Sequence, residues 1–333
     1  MPRLRLWLCP LPLVALAVVA CGGPFPQSTL RPRSDFAGQV DQLFTSIFWW
    51  AVVVFVVVEG LLCYAVVRYR HREGRPAPKP VHGHTALEIA WTLAPAVILV
   101  FIAVPTMRTI FATAGEAPAT ALKVEVIGHQ WWWEYRYPDL HIVTANELSL
   151  PVGQPVQVSI TSADVIHSFW APALGGKRDA IPGHLTRIAF RPDSVGVYSG
   201  QCAEFCGASH ANMRLRVLVL RDSAFQAWVR RQQAAPLVPP RGSLEARGRD
   251  VFAKSACIGC HTIDGVSKGI IGPNLSHVGG RTTIAAGLFP NDSPHLARWI
   301  ANAPSLKPGA LMMQMPVTGA DLAAVIAYLQ SLK

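Results

Sequence analysis

The stretch Cys202-Ala203-Glu204-Phe205-Cys206-Gly207-Ala208-Ser209-His210-Ala211-Asn212-Met213 decides how this chain is read, because it sets two thiols, an imidazole and a thioether at C-x3-C-x3-H-x2-M spacing. Soft thiolate stabilises both oxidation states of copper, imidazole raises affinity, and a weak thioether tunes the potential. One cysteine would suit a mononuclear blue site, whereas two on one short loop can bridge a pair of copper ions. Gly200 and Gly207 are expected to permit the bends that turn both thiols inward. His167, in Asp164-Val165-Ile166-His167-Ser168-Phe169-Trp170, is the natural further ligand from a neighbouring strand end. A closed Cys2His2 zinc site is the competing reading, and the methionine counts against it.

Downstream, Cys257-Ile258-Gly259-Cys260-His261 has the C-x-x-C-H spacing that attaches a c-type haem through two thioethers and supplies its proximal histidine. The opposite axial ligand is expected to be a methionine, which raises the potential of a transfer haem, and Met312, Met313 and Met315 compete for the place. Two redox centres in series on one chain is the direct implication.

Working towards the N-terminus, residues 43–67 and 86–110 are almost continuously apolar. At roughly 1.5 Å per residue, about 25 residues suffice to cross a hydrocarbon core of about 30 Å. The basic, proline-rich segment 68–85 between them is expected to be cytoplasmic, which sends both ends of a transmembrane hairpin outward. The first residues, with Arg3, Arg5, an apolar stretch and Val18-Val19-Ala20-Cys21-Gly22, read as a lipoprotein-type signal peptide over 1–20 with Cys21 lipidated. An ordinary signal peptide or an uncleaved anchor is the alternative. Residues 21–40 form an N-terminal segment, and the hairpin occupies 41–112.

Beyond the hairpin, short alternating runs at 123–127, 156–160, 186–190 and 215–220, separated by Pro and Gly turns, read as a small β-sandwich or barrel over 113–235. Residues 236–242, Pro-Leu-Val-Pro-Pro-Arg-Gly, form a semi-rigid linker. Helical spacing at 243–254 and 319–332 makes 243–333 a compact α-domain around the haem motif.

With 51% hydrophobic and 15% charged residues among 333, the chain is too apolar for a purely soluble protein. Its formal charge of +10 does not imply nucleic acid, since many basic residues lie in the signal and the juxtamembrane loop, where topology explains them. All seven cysteines have places outside any structural disulfide: Cys9 in the signal, Cys21 at its end, Cys63 in an apolar helix, and one pair in each redox motif.

Taken together with His82-Gly83, Leu87-Glu88-Ile89-Ala90-Trp91-Thr92, Gly128-His129-Gln130-Trp131-Trp132-Trp133-Glu134-Tyr135 and Asp179-Ala180-Ile181-Pro182-Gly183, these motifs resemble subunit II of haem-copper cytochrome c oxidases. The resemblance runs from about Gln39 to the end and is specifically to the bacterial caa-type, in which a cytochrome c domain is fused at the C-terminus. It implies a cupredoxin-like domain carrying a binuclear CuA centre on His167, Cys202, the Glu204 backbone carbonyl, Cys206, His210 and Met213. It further implies a magnesium ion at the Glu204 side chain, shared with subunit I, and Trp131 as the residue where electrons enter. Packing of the barrel against the membrane interface is expected to explain Trp132 or Trp133.

In the last domain, an all-α class I cytochrome c, the resemblance favours Met315, just before Pro316, as the second haem ligand. Gly272-Pro273-Asn274-Leu275 would be the turn beside the proximal histidine, and Trp299 would contact a propionate. Glu88 would mark a proton-channel entrance leading into subunit I, against the alternative of a snorkelling headgroup residue; Glu59 should face a partner subunit but has no assigned role. The implied activity is electron transfer from an external cytochrome c or a quinol-oxidising complex, through the fused haem and CuA, to subunit I, where oxygen is reduced and protons are translocated. This chain would hold no oxygen site, subunit III would be a further partner, and lipid would surround the helices. The fused domain would raise the effective concentration of the donor at the copper domain. The small subunit of a CuA-containing nitric oxide reductase shares the hairpin and copper fold and is one rival. A copper-delivery or thiol-redox membrane protein is another, against which Met213 and the haem motif count.

Overall fold

The computed structural model describes residues 25–71, 73–74, 80 and 82–333. The signal-peptide and Cys21 readings, and most of the basic linker between the apolar helices, lie outside the described residues.

Among the described residues two long helices come first, α1 at Asp35–Tyr69 and α2 at Thr85–Thr113, with mean hydropathy of 2.4 and 2.3 over their most apolar windows. At about 1.5 Å per residue both exceed the thickness of a hydrocarbon core. Trp50 of α1 stacks on Phe101 of α2 with ring centroids 5.6 Å apart. The first helix begins upstream of residue 43 because Ser34 caps it, accepting from the Ala37 amide at 3.0 Å, while Asp35 adds negative charge to its first turn. This first turn is rooted in the domain that follows: the Ser34 hydroxyl donates to the Leu174 carbonyl at 2.5 Å, Asp35 accepts from the Arg191 amide at 2.7 Å, and Phe36 and Ala37 are buried.

Ten strands make the middle domain: β1 (Leu122–His129), β2 (Trp132–Tyr137), β3 (Ile142–Ala145), β4 (Glu147–Pro151), β5 (Val156–Ser162), β6 (His167–Trp170), β7 (Arg178–Ala180), β8 (Thr186–Phe190), β9 (Gly196–Cys202) and β10 (Arg214–Leu220). They form two five-stranded sheets, ordered β3-β2-β1-β5-β8 and β4-β10-β9-β6-β7. Pairing is antiparallel except for β1 with β5 and β4 with β10. Period-two alternation turns Val124 and Val126, Val156, Val158 and Ile160, and Leu215, Val217 and Val219 into one core between the sheets. Each such side chain contributes about 1.5–3 kcal/mol on burial. Trp133 belongs to this core. It is fully buried, edge-on to Phe169 at 5.6 Å, so packing between the sheets, and not against a membrane surface, accounts for it.

The sequence patterns missed α3 (Asp222–Gln233), a short amphipathic helix that closes the sandwich with Phe225 and Val229. Its apolar positions are few, and only tertiary contact reveals them as one face.

The last domain holds α4 (Leu244–Lys254), α5 (Cys257–Cys260), the small hairpins β11–β12 (Thr262–Ile263, Ser267–Lys268) and β13–β14 (Thr283–Ile284, Phe289–Pro290), then α6 (Ser293–Ala301), α7 (Ala303–Leu306) and α8 (Gly319–Ser331). Ser243 caps α4, accepting from the Ala246 amide at 3.1 Å. Helices α4 and α8 pack together, with Phe252 edge-on to Tyr328 at 6.2 Å.

Candidate copper and haem centres

Strand pairing builds the first centre. Phe169 of β6 lies opposite Cys202 of β9, which brings His167 at the start of β6 beside the loop that leaves β9. His167, Cys202 and Cys206 are all buried, with one donor atom of each within 4.8 Å of the others. The two sulfurs stand 3.7 Å apart, His167 Nδ1 is 3.9 Å from Cys202 Sγ, His210 Nδ1 is 3.5 Å from Cys206 Sγ, and Met213 Sδ is 3.9 Å from Cys206 Sγ. The Glu204 carbonyl is 3.2 Å from Cys202 Sγ, while its side chain is exposed. Every residue read from the sequence as a copper ligand therefore converges on one point.

The glycines that frame this loop act differently from expectation. Gly207 bends the chain with φ of 110°, a conformation that side chains rarely adopt. Gly200 lies within β9 and bends nothing; a Cβ there would meet the Trp170 carbonyl and the Leu215 side chain, so its role is close packing.

The donor chemistry fits copper. Two thiolates at this separation repel, so hydrogen bonding from Cys206 holds the Cys202 thiol well below its ordinary value and the same contact drives Cys206 up. A cation held by Cys202 and Cys206 would let both ionise. His167 Nε2 lies 2.7 Å from an Asp164 carboxylate oxygen, which an N–H at that nitrogen uses, leaving Nδ1 and its lone pair turned to the sulfurs. Asp164 also accepts from the Gln130 amide at 2.6 Å and the Val165 amide at 2.7 Å. Burial pushes its carboxyl up, but these hydrogen bonds outweigh it and hold the group ionised below the usual range. The sequence motif gives Asp164 no role; its contact with His167, three residues on, exists because the loop folds back.

A cleft of about 1300 Å³, counting its open mouth, forms the second centre. Cys257, Cys260, His261, Trp299 and all three candidate methionines line it. His261 Nδ1 is 2.9 Å from the Pro273 carbonyl, so that nitrogen carries the proton and Nε2 keeps a free lone pair. Burial also lowers the His261 pKa, which favours the neutral imidazole a metal needs. Met315 is 7% exposed, whereas Met313 is 61% exposed and Met312 is half-buried. Arg281, missed in the sequence, has a buried Nε without a hydrogen-bond partner at the cleft wall, a natural match for a propionate carboxylate. The cysteine pair, the free Nε2, the buried thioether and the unpartnered Arg281 Nε, whose Nη2 is held by the Asn274 carbonyl at 2.5 Å, together fit a covalently held haem.

Trp131 joins the two centres. It lines the cleft and its Nε1 donates to the Cys206 carbonyl at 3.0 Å. Trp132 is half-buried at the same wall, stacked on His129 with centroids 4.2 Å apart. Glu88 is exposed in the first turn of α2, capped by His84, and Glu59 is exposed on α1.

Models of cytochrome c oxidase subunit II match at residues 30–109 for its transmembrane domain and 140–220 for its periplasmic domain, and a cytochrome c model matches at 245–333. Cytochrome c oxidase subunit 2 of Alkalihalophilus pseudofirmus is 36% identical over 99% of this chain and 99% of its own length. The chain belongs to the cytochrome c oxidase subunit II family. The corresponding protein of Bacillus sp. strain PS3 is 35% identical over 96% of this chain and 95% of its own. The periplasmic domain of subunit II from Bradyrhizobium japonicum, a solved structure, is 36% identical and covers 35% of this chain and 97% of that one, with a TM-score of 0.34. As a subunit II with a fused cytochrome c domain, the protein is the electron-transfer subunit of a terminal oxidase, partners subunit I, and spans the membrane twice. Its family implies CuA copper in the periplasmic domain and a c-type haem in the cytochrome c domain.

Proposed function

We propose that electrons cross this chain from the haem cleft to the copper loop by way of Trp131, and then pass to subunit I. The observation that carries this reading is the position of Trp131, one face at the cleft and its Nε1 on the Cys206 carbonyl. When bound, the haem and the copper pair each take up and release one electron at a time. Cys257 and Cys260 would attach the haem, His261 Nε2 and Met315 would hold its iron, and Arg281 would lie beside a propionate. His167 Nδ1, Cys202, the Glu204 carbonyl, Cys206, His210 Nδ1 and Met213 would hold two copper ions. Both donor sets are braced by hydrogen bonds, by Asp164 at His167 and by Pro273 at His261, so the ligands stay in place as charge changes.

The exposed Glu204 carboxylate would share a magnesium ion with subunit I. The oxygen-reducing site belongs to subunit I, with proton translocation and Glu88 at the start of a proton path. Subunit III and lipid would surround α1 and α2. Both soluble domains would lie outside the plasma membrane, with an external cytochrome c or a quinol-oxidising complex as donor. The division into a signal peptide over 1–20, a hairpin over 41–112, a copper domain over 113–235 and a haem domain over 243–333 belongs to the same reading.

The test is metal analysis with visible and near-infrared absorption spectra of the full-length protein in detergent. Two coppers per haem with a near-infrared mixed-valence band is the expected result. One copper, zinc, or no such band overturns the reading.

A further inference from the structure

Polar anchors fasten the haem domain to the copper domain on two sides of the shared cleft. On one side Glu147, at the start of β4 and 5% exposed, accepts from Thr282 through its amide at 3.0 Å and its hydroxyl at 2.6 Å. It also accepts from Thr283 through its amide at 2.8 Å and its hydroxyl at 2.7 Å. On the other side Lys307, 3% exposed, donates from Nζ to the Trp131 carbonyl at 2.6 Å and to the Ala285 carbonyl at 3.1 Å. Between them the Arg214 amide donates to the Ala286 carbonyl at 3.2 Å, and the Ser209 hydroxyl donates to the Pro308 carbonyl at 2.6 Å.

Burying a carboxylate and an ammonium is costly unless each is well supplied with partners of the right sign. Here the partners come largely from across the domain boundary, so the hydrogen bonds of both groups are made in one relative placement of the domains. A domain that swung freely on its linker would gain nothing from such groups, since mobile interfaces keep their charges at a wet rim. The fit beside Trp131 is equally close: a Cβ on Gly309 would come within 2.5 Å of the indole ring. Trp131 is 8% exposed as a result, so the fused domain covers the surface through which an outside protein would reach it.

We propose that Glu147 and Lys307 are positioning residues that latch the haem domain in one seat over Trp131, so that it serves as a docked relay and not a tethered shuttle. The consequence for electron flow rests on the function proposed above. The latch itself concerns only contacts within this chain.

Hydrogen–deuterium exchange on the full-length protein in detergent reads the latch without any electron transfer. The amides of Thr282, Thr283 and Arg214 should be protected in the native protein. Glu147→Ala should raise exchange at Thr282 and Thr283 by about tenfold or more, the scale set by hydrogen bonds to a charged group. Glu147→Gln, which keeps one acceptor oxygen, should recover part of the protection, and it also serves if the alanine variant fails to fold. Flash-initiated transfer from haem to copper, followed across a series of solvent viscosities, completes the test. It should be independent of viscosity in the native protein and become slower and viscosity-dependent in Glu147→Ala and Lys307→Met.

Native amides that exchange like those of a free loop, variants that leave protection unchanged, or native transfer that slows with viscosity would each overturn the latch. If copper or haem fails to load, the electron-transfer reading falls while the exchange data still decide the latch.

Discussion

The Trp131 indole Nε1 donates a 3.0 Å hydrogen bond to the Cys206 carbonyl, while the same ring forms part of the haem cleft wall. One side chain thus touches both candidate redox centres. Trp131→Phe keeps the aromatic bulk but removes the donor. It is expected to slow haem-to-copper transfer in flash photolysis while leaving the copper content and spectrum unchanged, because no proposed ligand is altered.

Asp164 orients His167 through the 2.7 Å contact at Nε2. Asp164→Asn removes the charge that fixes this tautomer, and loss of such a supporting partner lowers metal affinity about 10–100-fold. Competition with a copper chelator measures it; unchanged retention would mean that the backbone alone orients the imidazole.

Met315 is the most buried of the three candidate thioethers. Met315→Leu should leave the haem covalently attached yet shift its absorption spectrum and lower its potential, since an axial thioether raises it. Met313→Leu should change neither.

Glu134 gives a pH signature. Burial pushes its carboxyl up, but the His129 imidazole 3.3 Å away and the hydrogen bond from Arg136 prevail and hold it below the usual range. A folded pKa below the unfolded one contributes stability above the ordinary carboxylate pKa and loses it as pH falls through the depressed folded value. Thermal unfolding midpoints across the acid range should therefore fall less steeply in Glu134→Gln than in the native protein, with the difference vanishing at the lowest pH.

Trp133 is wholly buried between the sheets. Trp133→Ala should destabilise the copper domain by about 3–5 kcal/mol, as measured by denaturant titration.

Much of this was readable from residue order alone, because the chemistry is concentrated in short motifs. The C-x3-C-x3-H-x2-M loop and C-x-x-C-H each carry their meaning in local spacing, and two long apolar runs specify membrane-length helices whatever packs on them. The β-domain was visible where alternation is strict, as in β5 and β10, and invisible in β3 and β7, which are four and three residues long and held by their neighbours. Asp164, Arg281, Glu147 and Lys307 belong to a different kind of information. Each is an ordinary charged residue in sequence, and each acquires its role from a group brought to it by folding: His167, the haem cleft, Thr282 and Thr283, and the Trp131 carbonyl 176 residues away. Local spacing determines which metals and spans the chain can hold; only the tertiary structure, through burial that makes an unpaired charge costly, decides which distant groups must meet to hold them in register.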